Sequence, residues 1–283
     1  MLNILNNKQK KFFEKNRYVV VKNALSQEII SFIKDSWNRM DEEPYSKSIF
    51  VKEGKHVDGS IWSKPFITSE YGISPFGVST LTNLQKIIEK NIEIELIPTY
   101  SFERKYWRDA VLYSHRDRPS CEISATITID YVTDNKEPWP IWILNDKNYA
   151  GFNNANAFAV SQSKNEDERI KAGCKRILIY PGDILVYQGV NVLHWRDPLD
   201  GEWARQIFVH YVNKNGPFYQ EFPELKFDGR KSLYHTYDDN YRNYKVVKEL
   251  NETLANDVNF CKERACKGIS NCLLYTSPSP RDA

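Results

Sequence analysis

The sequence predicts a mainly β protein, a sandwich, barrel or jelly roll with flanking helices, and three observations carry that expectation. Short stretches rich in β-branched and aromatic residues recur between positions 94 and 213. Turn sequences separate them, among them Pro181-Gly182-Asp183 and Asp197-Pro198-Leu199-Asp200-Gly201; Pro followed by Gly suits the centre of a type II turn. One stretch alternates strictly, with Cys121, Ile123, Ala125, Ile127 and Ile129 on one side and Glu122, Ser124, Thr126, Thr128 and Asp130 on the other. Many short strands at near-regular spacing build sandwiches and barrels.

The elements follow in order. Tyr18 to Val21, "YVVV", reads as a short strand. Ser26 is placed to cap a helix that has Glu28 in its first turn and an apolar stripe of Ile29, Ile30, Ile33, Trp37 and Met40. Residues 41–75 are polar and read as a loop containing "GKHVDGSIW". A second amphipathic helix covers "TLTNLQKIIEKNI", ending near Ile92. Strands are then expected at "IELIPTYSFERKYW", "EISATITIDYV", "WPIWIL", "AFAVSQ", "KRILIYP", "DILVYQG" and "RQIFVHYV". Beyond about residue 225 the chain is tyrosine-rich and polar, with a helical pattern in "NYKVVKELNETLANDV". The expected organisation is a lead-in over 1–93 packed on a barrel over 94–225, the two forming one domain, and an extension over 226–272. Residues 273–283 have a Ser/Pro/Arg composition that cannot pack, and read as a non-native tail.

Composition narrows the function. The chain is 41% hydrophobic and 13% aromatic, enough for a packed core, and its net charge of +2 does not suggest nucleic-acid or anionic-membrane binding. No apolar run reaches membrane-spanning length, and the N-terminus has no secretory pattern. Five cysteines without such a signal suit a reducing, cytoplasmic setting. Cys121 and Cys174 are expected to be buried thiols, and Cys261, Cys266 and Cys272 match no four-ligand zinc spacing.

Chemistry concentrates at His115-Arg116-Asp117. In an extended strand, residues two apart face the same side about 6.6 Å apart, so an imidazole and a carboxylate can reach one ion. They make two sides of a 2-His-1-carboxylate triad, which leaves open positions on iron(II). The pair is weak evidence alone, since His56-Val57-Asp58 repeats it in the polar loop. The copy at 115 stands directly ahead of the alternating strand and is preferred. His194 is the candidate third ligand, because Arg205 follows it on the next strand and can grip a carboxylate with a planar fork. His210 and His235 lack that company. Taken singly each residue has an ordinary structural explanation, and the weight lies in their order and spacing.

"LYSHRDRPSCEISATITI", followed 79 residues after His115 by "HWRDPLDGEWARQIFVHYV", resembles the iron(II)/2-oxoglutarate-dependent dioxygenase superfamily, closest to its phytanoyl-CoA dioxygenase-like and prolyl 4-hydroxylase-like branches. The likeness spans roughly residues 10–215 and includes the lead-in "FFEKNRYVVVKNALSQEIISFI". It implies a double-stranded β-helix, the cupin-like jelly roll, with Fe(2+) on His115, Asp117 and His194 and with 2-oxoglutarate on Arg205. It further implies O2 as oxidant, succinate and carbon dioxide as coproducts, and hydroxylation of an unactivated C–H, with no catalytic side chain beyond the ligands. Prolyl-hydroxylase-like members often carry Tyr three residues before the metal His, where this chain has Leu112. Tyr100 or Tyr106 is a candidate cosubstrate contact in its stead, and Thr126 is another. The retained Asp117 favours hydroxylation over halogenation. The substrate is expected to be a small metabolite in preference to a prolyl peptide. A degenerate binding module and a cupin-type metalloenzyme without 2-oxoglutarate are the rival readings.

Overall fold

The computed structural model describes residues 2–40, 51–54, 66–69, 75–117, 119–144 and 155–221. Helix α1 (Leu2–Asn16) leads into β1 (Tyr18–Val21) and α2 (Gln27–Met40). The short strands β2 (Val51–Gly54) and β3 (Phe66–Ser69) precede α3 (Pro75–Ile92) and the long β4 (Leu96–Trp107). Then come β5 (Leu112–His115), a 3-10 turn (Pro119–Cys121), β6 (Ile123–Thr133) and β7 (Ile141–Leu144). Helices α4 (Ala155–Gln162) and α5 (Glu166–Lys171) are followed by β8 (Cys174–Ile177), β9 (Ile184–Tyr187), β10 (Leu193–Arg196), β11 (Gly201–Asn213) and α6 (Pro217–Glu221).

The strands form two antiparallel sheets, ordered β1-β9-β6-β11-β4-β3-β2 and β5-β10-β7-β8. The chain passes from one sheet to the other repeatedly, β4 to β5, β5 to β6 and β6 to β7, which winds the two layers into a double-stranded β-helix. Alternation assigns each large-sheet strand two roles. On β6 and β11, Ile123, Ala125, Ile127, Ile207, Val209 and Tyr211 face outward and pack against Ile30, Ile33 and Trp37 of α2 and Leu81, Leu84 and Ile88 of α3. The opposite parity faces the barrel interior, where Leu185 and Tyr187 of β9 meet Ile141 and Ile143 of β7. One end is plugged by Tyr106, Ala110, Trp139, Leu199 and Ala204.

Several expectations needed correction. "AFAVSQ" lies within helix α4, not a strand; its Ala157 is buried against Trp142 and Cys174, where a small residue lets the helix approach the outer face of the small sheet. The polar stretch 41–75 contains paired strands β2 and β3, which extend the large sheet beyond β4. Helix α3 begins at Pro75, earlier than the apolar pattern showed, as Pro suits a first helical turn. The N-terminal α1 went unremarked in the sequence, and Phe13 is its buried anchor. Ser26 accepts the backbone N–H of Ile29 and caps α2 as expected. His56, Asp58, His235, Cys261, Cys266, Cys272 and the segments 226–272 and 273–283 lie outside the described residues.

Candidate metal centre and anion pocket

His115 closes β5, and Asp117 follows it in the bend before the 3-10 turn. His194 lies within β10 directly opposite His115 in the antiparallel register. The small sheet thus brings together residues far apart in sequence. His115 Nε2 is 3.6 Å and His194 Nε2 3.5 Å from Asp117 Oδ1, and one donor atom from each of the three residues lies within 4.8 Å of the other two.

Both imidazoles are oriented by backbone. His115 Nδ1 is 2.6 Å from the Tyr113 carbonyl and His194 Nδ1 3.0 Å from that of Val192. A carbonyl can only accept, so each Nδ1 carries the proton and each Nε2 presents its lone pair to the common centre. Burial, and after it His194, push His115 down to about 4 against the opposing pull of Asp117, so its ring is neutral near pH 7. Burial alone would raise Asp117, but His194, His115 and His210 together hold it below the usual carboxylate range. Two imidazoles and one carboxylate, all buried, are a donor set that fits a divalent metal ion.

Asp117 is fixed on every side. Its N–H donates to the Gly189 carbonyl at 2.9 Å, and Ser124 Oγ donates to its Oδ2 at 2.8 Å. Gly189 must lack a side chain, because a β-carbon there would collide with the Cys121 carbonyl and the Asp117 carboxylate. The 3-10 turn that returns the chain to β6 is tied down by Thr99, whose hydroxyl donates to the Ser120 carbonyl at 2.7 Å.

The structure does not bring Arg205 to this centre. Arg205 shares the parity of Ile207 and Val209, so it points away from the barrel interior into the helical layer. Its Nη1 donates to Asn38 Oδ1 of α2 at 2.6 Å, and its guanidinium lies over the rings of Trp203 and Trp37. The inward position on that strand belongs to Gln206.

One buried cation that does point inward is Arg196, on the same face of β10 as His194 and two residues beyond it. It is 0% exposed. It donates to the Trp139 carbonyl, to Thr126 Oγ1 at 3.4 Å and to Gln206 Oε1 at 3.4 Å, while its Nε has no hydrogen-bond partner among the described residues. All those partners are neutral, and burial pushes Arg196 down to about 10. A second buried guanidinium, Arg104 of β4, stands opposite Gln206 in the register on the same inward parity, lies 4.4 Å from the centre of the Phe102 ring and helps to lower His115.

Of the other candidates, Thr126 contacts Arg196 directly. Tyr106 packs on Trp139, whose carbonyl accepts from Arg196, with ring centroids 5.0 Å apart. Tyr100 lies nearer the metal end, with its hydroxyl 3.0 Å from Cys121 Sγ. Sequence reasoning passed over Arg196, Gln206 and Gly189, placed Ser124 only on a polar strand face, and set His210 aside. Arg196 was findable by the rule that pairs His115 with Asp117, since it stands two residues after His194 on one strand.

No family model and no curated protein sequence matches the chain. Its fold is similar to that of several solved structures. AviO1 from Streptomyces viridochromogenes Tue57 is 15% identical with a TM-score of 0.51, the match covering 75% of this chain and 96% of AviO1. HygX from Streptomyces hygroscopicus, solved with nickel and 2-oxoglutarate bound, is 11% identical with a TM-score of 0.50 over 74% of this chain and 87% of HygX. SnoN, a non-heme alpha-ketoglutarate-dependent epimerase from nogalamycin biosynthesis, is 10% identical with a TM-score of 0.50 over 75% of this chain and 82% of SnoN. The chain has the double-stranded β-helix fold found in 2-oxoglutarate-dependent oxygenases. Among the described residues no helix is long and apolar enough to cross a membrane.

Proposed function

We propose that this chain is an iron(II)- and 2-oxoglutarate-dependent oxygenase, with His115, Asp117 and His194 holding the metal and Arg196 holding the far carboxylate of the cosubstrate. The observation that carries the reading is Arg196. A guanidinium sealed in a barrel with only neutral partners is costly unless an anion joins it. It lies one strand pleat beyond a metal ligand, so a short dicarboxylate can reach both the ion and the Arg. HygX, whose fold this chain shares, holds nickel and 2-oxoglutarate.

Three protein donors would leave positions on a bound ion for cosubstrate, oxygen and substrate. Iron(II) held by these residues would supply the oxidising power from dioxygen and 2-oxoglutarate, with succinate and carbon dioxide as coproducts. The chain's own share is positional. His115 and His194 keep their lone pairs aimed, Thr126 and Gln206 hold the Arg196 fork, and Phe102, Phe208 and Leu185 keep water from the interior. The substrate is a small molecule and the outcome hydroxylation of a C–H bond. SnoN is an epimerase on the same fold, so the product must be identified chemically. Oxygen-dependent succinate release from 2-oxoglutarate tests the class. Loss of that release in both His115→Ala and Arg196→Met is expected, and its survival in both would overturn the reading.

A further inference from the structure

Asp117 has two carboxylate oxygens, and the fold treats them differently. Oδ1 faces the two imidazole Nε2 atoms at 3.6 and 3.5 Å. Oδ2 accepts from Ser124 Oγ at 2.8 Å, and the same hydroxyl lies 2.9 Å from His210 Nδ1. Ser124 is fully buried on the inner face of β6, His210 is buried on the neighbouring strand β11, and the two are partners in the sheet register.

Donor chemistry fixes the direction of this chain. An ionised carboxylate only accepts, so the single hydroxyl hydrogen of Ser124 goes to Oδ2. The Cys121 carbonyl at 3.1 Å and the Tyr187 hydroxyl on the neighbouring strand are uncharged competitors. The hydroxyl oxygen is then left to accept from His210 Nδ1–H. The His210 ring packs against Tyr100, with centroids 4.5 Å apart and the planes tilted by 33°. The result is a buried wire, His210 Nδ1–H to Ser124 Oγ–H to Asp117 Oδ2, anchored on two strands of the large sheet.

We infer that Ser124 and His210 are positioning residues that reserve Oδ2 and so present Asp117 to the ion through Oδ1 alone. A carboxylate free to rotate could take the ion through both oxygens and fill a coordination position the chemistry needs open. Partners of this kind typically set metal affinity by about 10–100-fold. The inference rests on the proposed metal site. A competing use of the neighbourhood exists, because Asp117, Cys121 and His210 also lie within 4.8 Å of one another and could hold a second ion.

The test is anaerobic titration of the full chain with cobalt(II), read by its ligand-field absorption and by metal content per chain. Ser124→Ala is expected to weaken cobalt binding by about 10-fold or more and to shift the absorption bands. Ser124→Thr keeps the hydroxyl and is expected to restore both. His210→Phe preserves the ring contact with Tyr100 and should weaken binding by a smaller factor. The double variant Ser124→Ala/His210→Phe should bind no worse than Ser124→Ala, because the two residues act in series. Wild-type affinity and spectrum in Ser124→Ala, or additive losses in the double variant, would overturn the inference. So would two ions per chain falling to one in His210→Phe, which would assign His210 as a ligand. His115→Ala separates this inference from the reading beneath it. If that variant still binds cobalt normally, the metal site itself is misassigned.

Discussion

Replacing Arg196 by Met removes the charge and keeps most of the side-chain length. In the folded protein burial pushes this guanidinium from an ordinary 12.5 to about 10. That corresponds to roughly 3 kcal/mol that the fold spends in keeping the charge dry. An incoming carboxylate offsets that cost, so wild type and variant should diverge in ligand binding and not in folding. Losing a charged, bidentate partner should weaken 2-oxoglutarate by about 100-fold. At ligand 100-fold above the wild-type dissociation constant, binding stabilises wild type by about 2.7 kcal/mol and the variant by only about 0.4 kcal/mol. At about 2–4 °C per kcal/mol for a chain of this size, that is a Tm rise of about 5–10 °C against about 1 °C. Thermal melts with nickel, with and without 2-oxoglutarate, read it directly. The ligand-free Tm should not fall sharply, because the lost bonds to Trp139 and Gln206 are offset by relief of the buried charge. A variant that keeps wild-type affinity for 2-oxoglutarate would refute the reasoning.

Other outcomes follow from the same geometry. Arg205→Met should leave the KM for 2-oxoglutarate within about 3-fold of wild type while lowering Tm by a few degrees, since it breaks the Asn38 and Trp37 contacts to α2. His115 is held below its ordinary 6.5, at about 4. The unfolded chain therefore takes up a proton first, and metal-free stability should decline as pH falls from about 6.5 to about 4, on the order of 3 kcal/mol in all, as urea titrations would show. Gly189→Ala should drive Asp117 from its place, and both Tm and cobalt affinity should drop together in melts and titrations. Leu84→Ala, which opens a void between α3 and the outer face of the large sheet, should cost about 2–5 kcal/mol in denaturant unfolding with the ligand set untouched.

Much of the fold was legible because it rests on local pattern. Alternation marked β6, and cap plus stripe marked α2, where Ser26 caps and Ile30, Ile33 and Trp37 are buried as expected, while Ile29, counted in the same stripe, is exposed. "AFAVSQ" misled because a short apolar run carries no reliable period, and its helix is settled by Ala157 meeting Trp142 and Cys174. The three metal candidates could be proposed from residue type and order. Their convergence depends on β5 and β10 pairing, which places His115 opposite His194.

The arginine separates what each level decides. The sequence by itself determined that a His-x-Asp pair, a distal His and several arginines share one strand-rich chain, since composition and spacing are properties of the string. It even held the parity of Arg205, for Ile207 and Val209 two and four residues on mark an apolar, helix-facing side. Which face of a strand lines the barrel is another matter. That is set by which partner layer covers it, here α2 and α3 outside and the small sheet inside, and only the assembled sheets supply that information. The tertiary structure therefore turned Arg205 toward Asn38 and brought Arg196, unremarked in the string, to the carboxylate end of the proposed site.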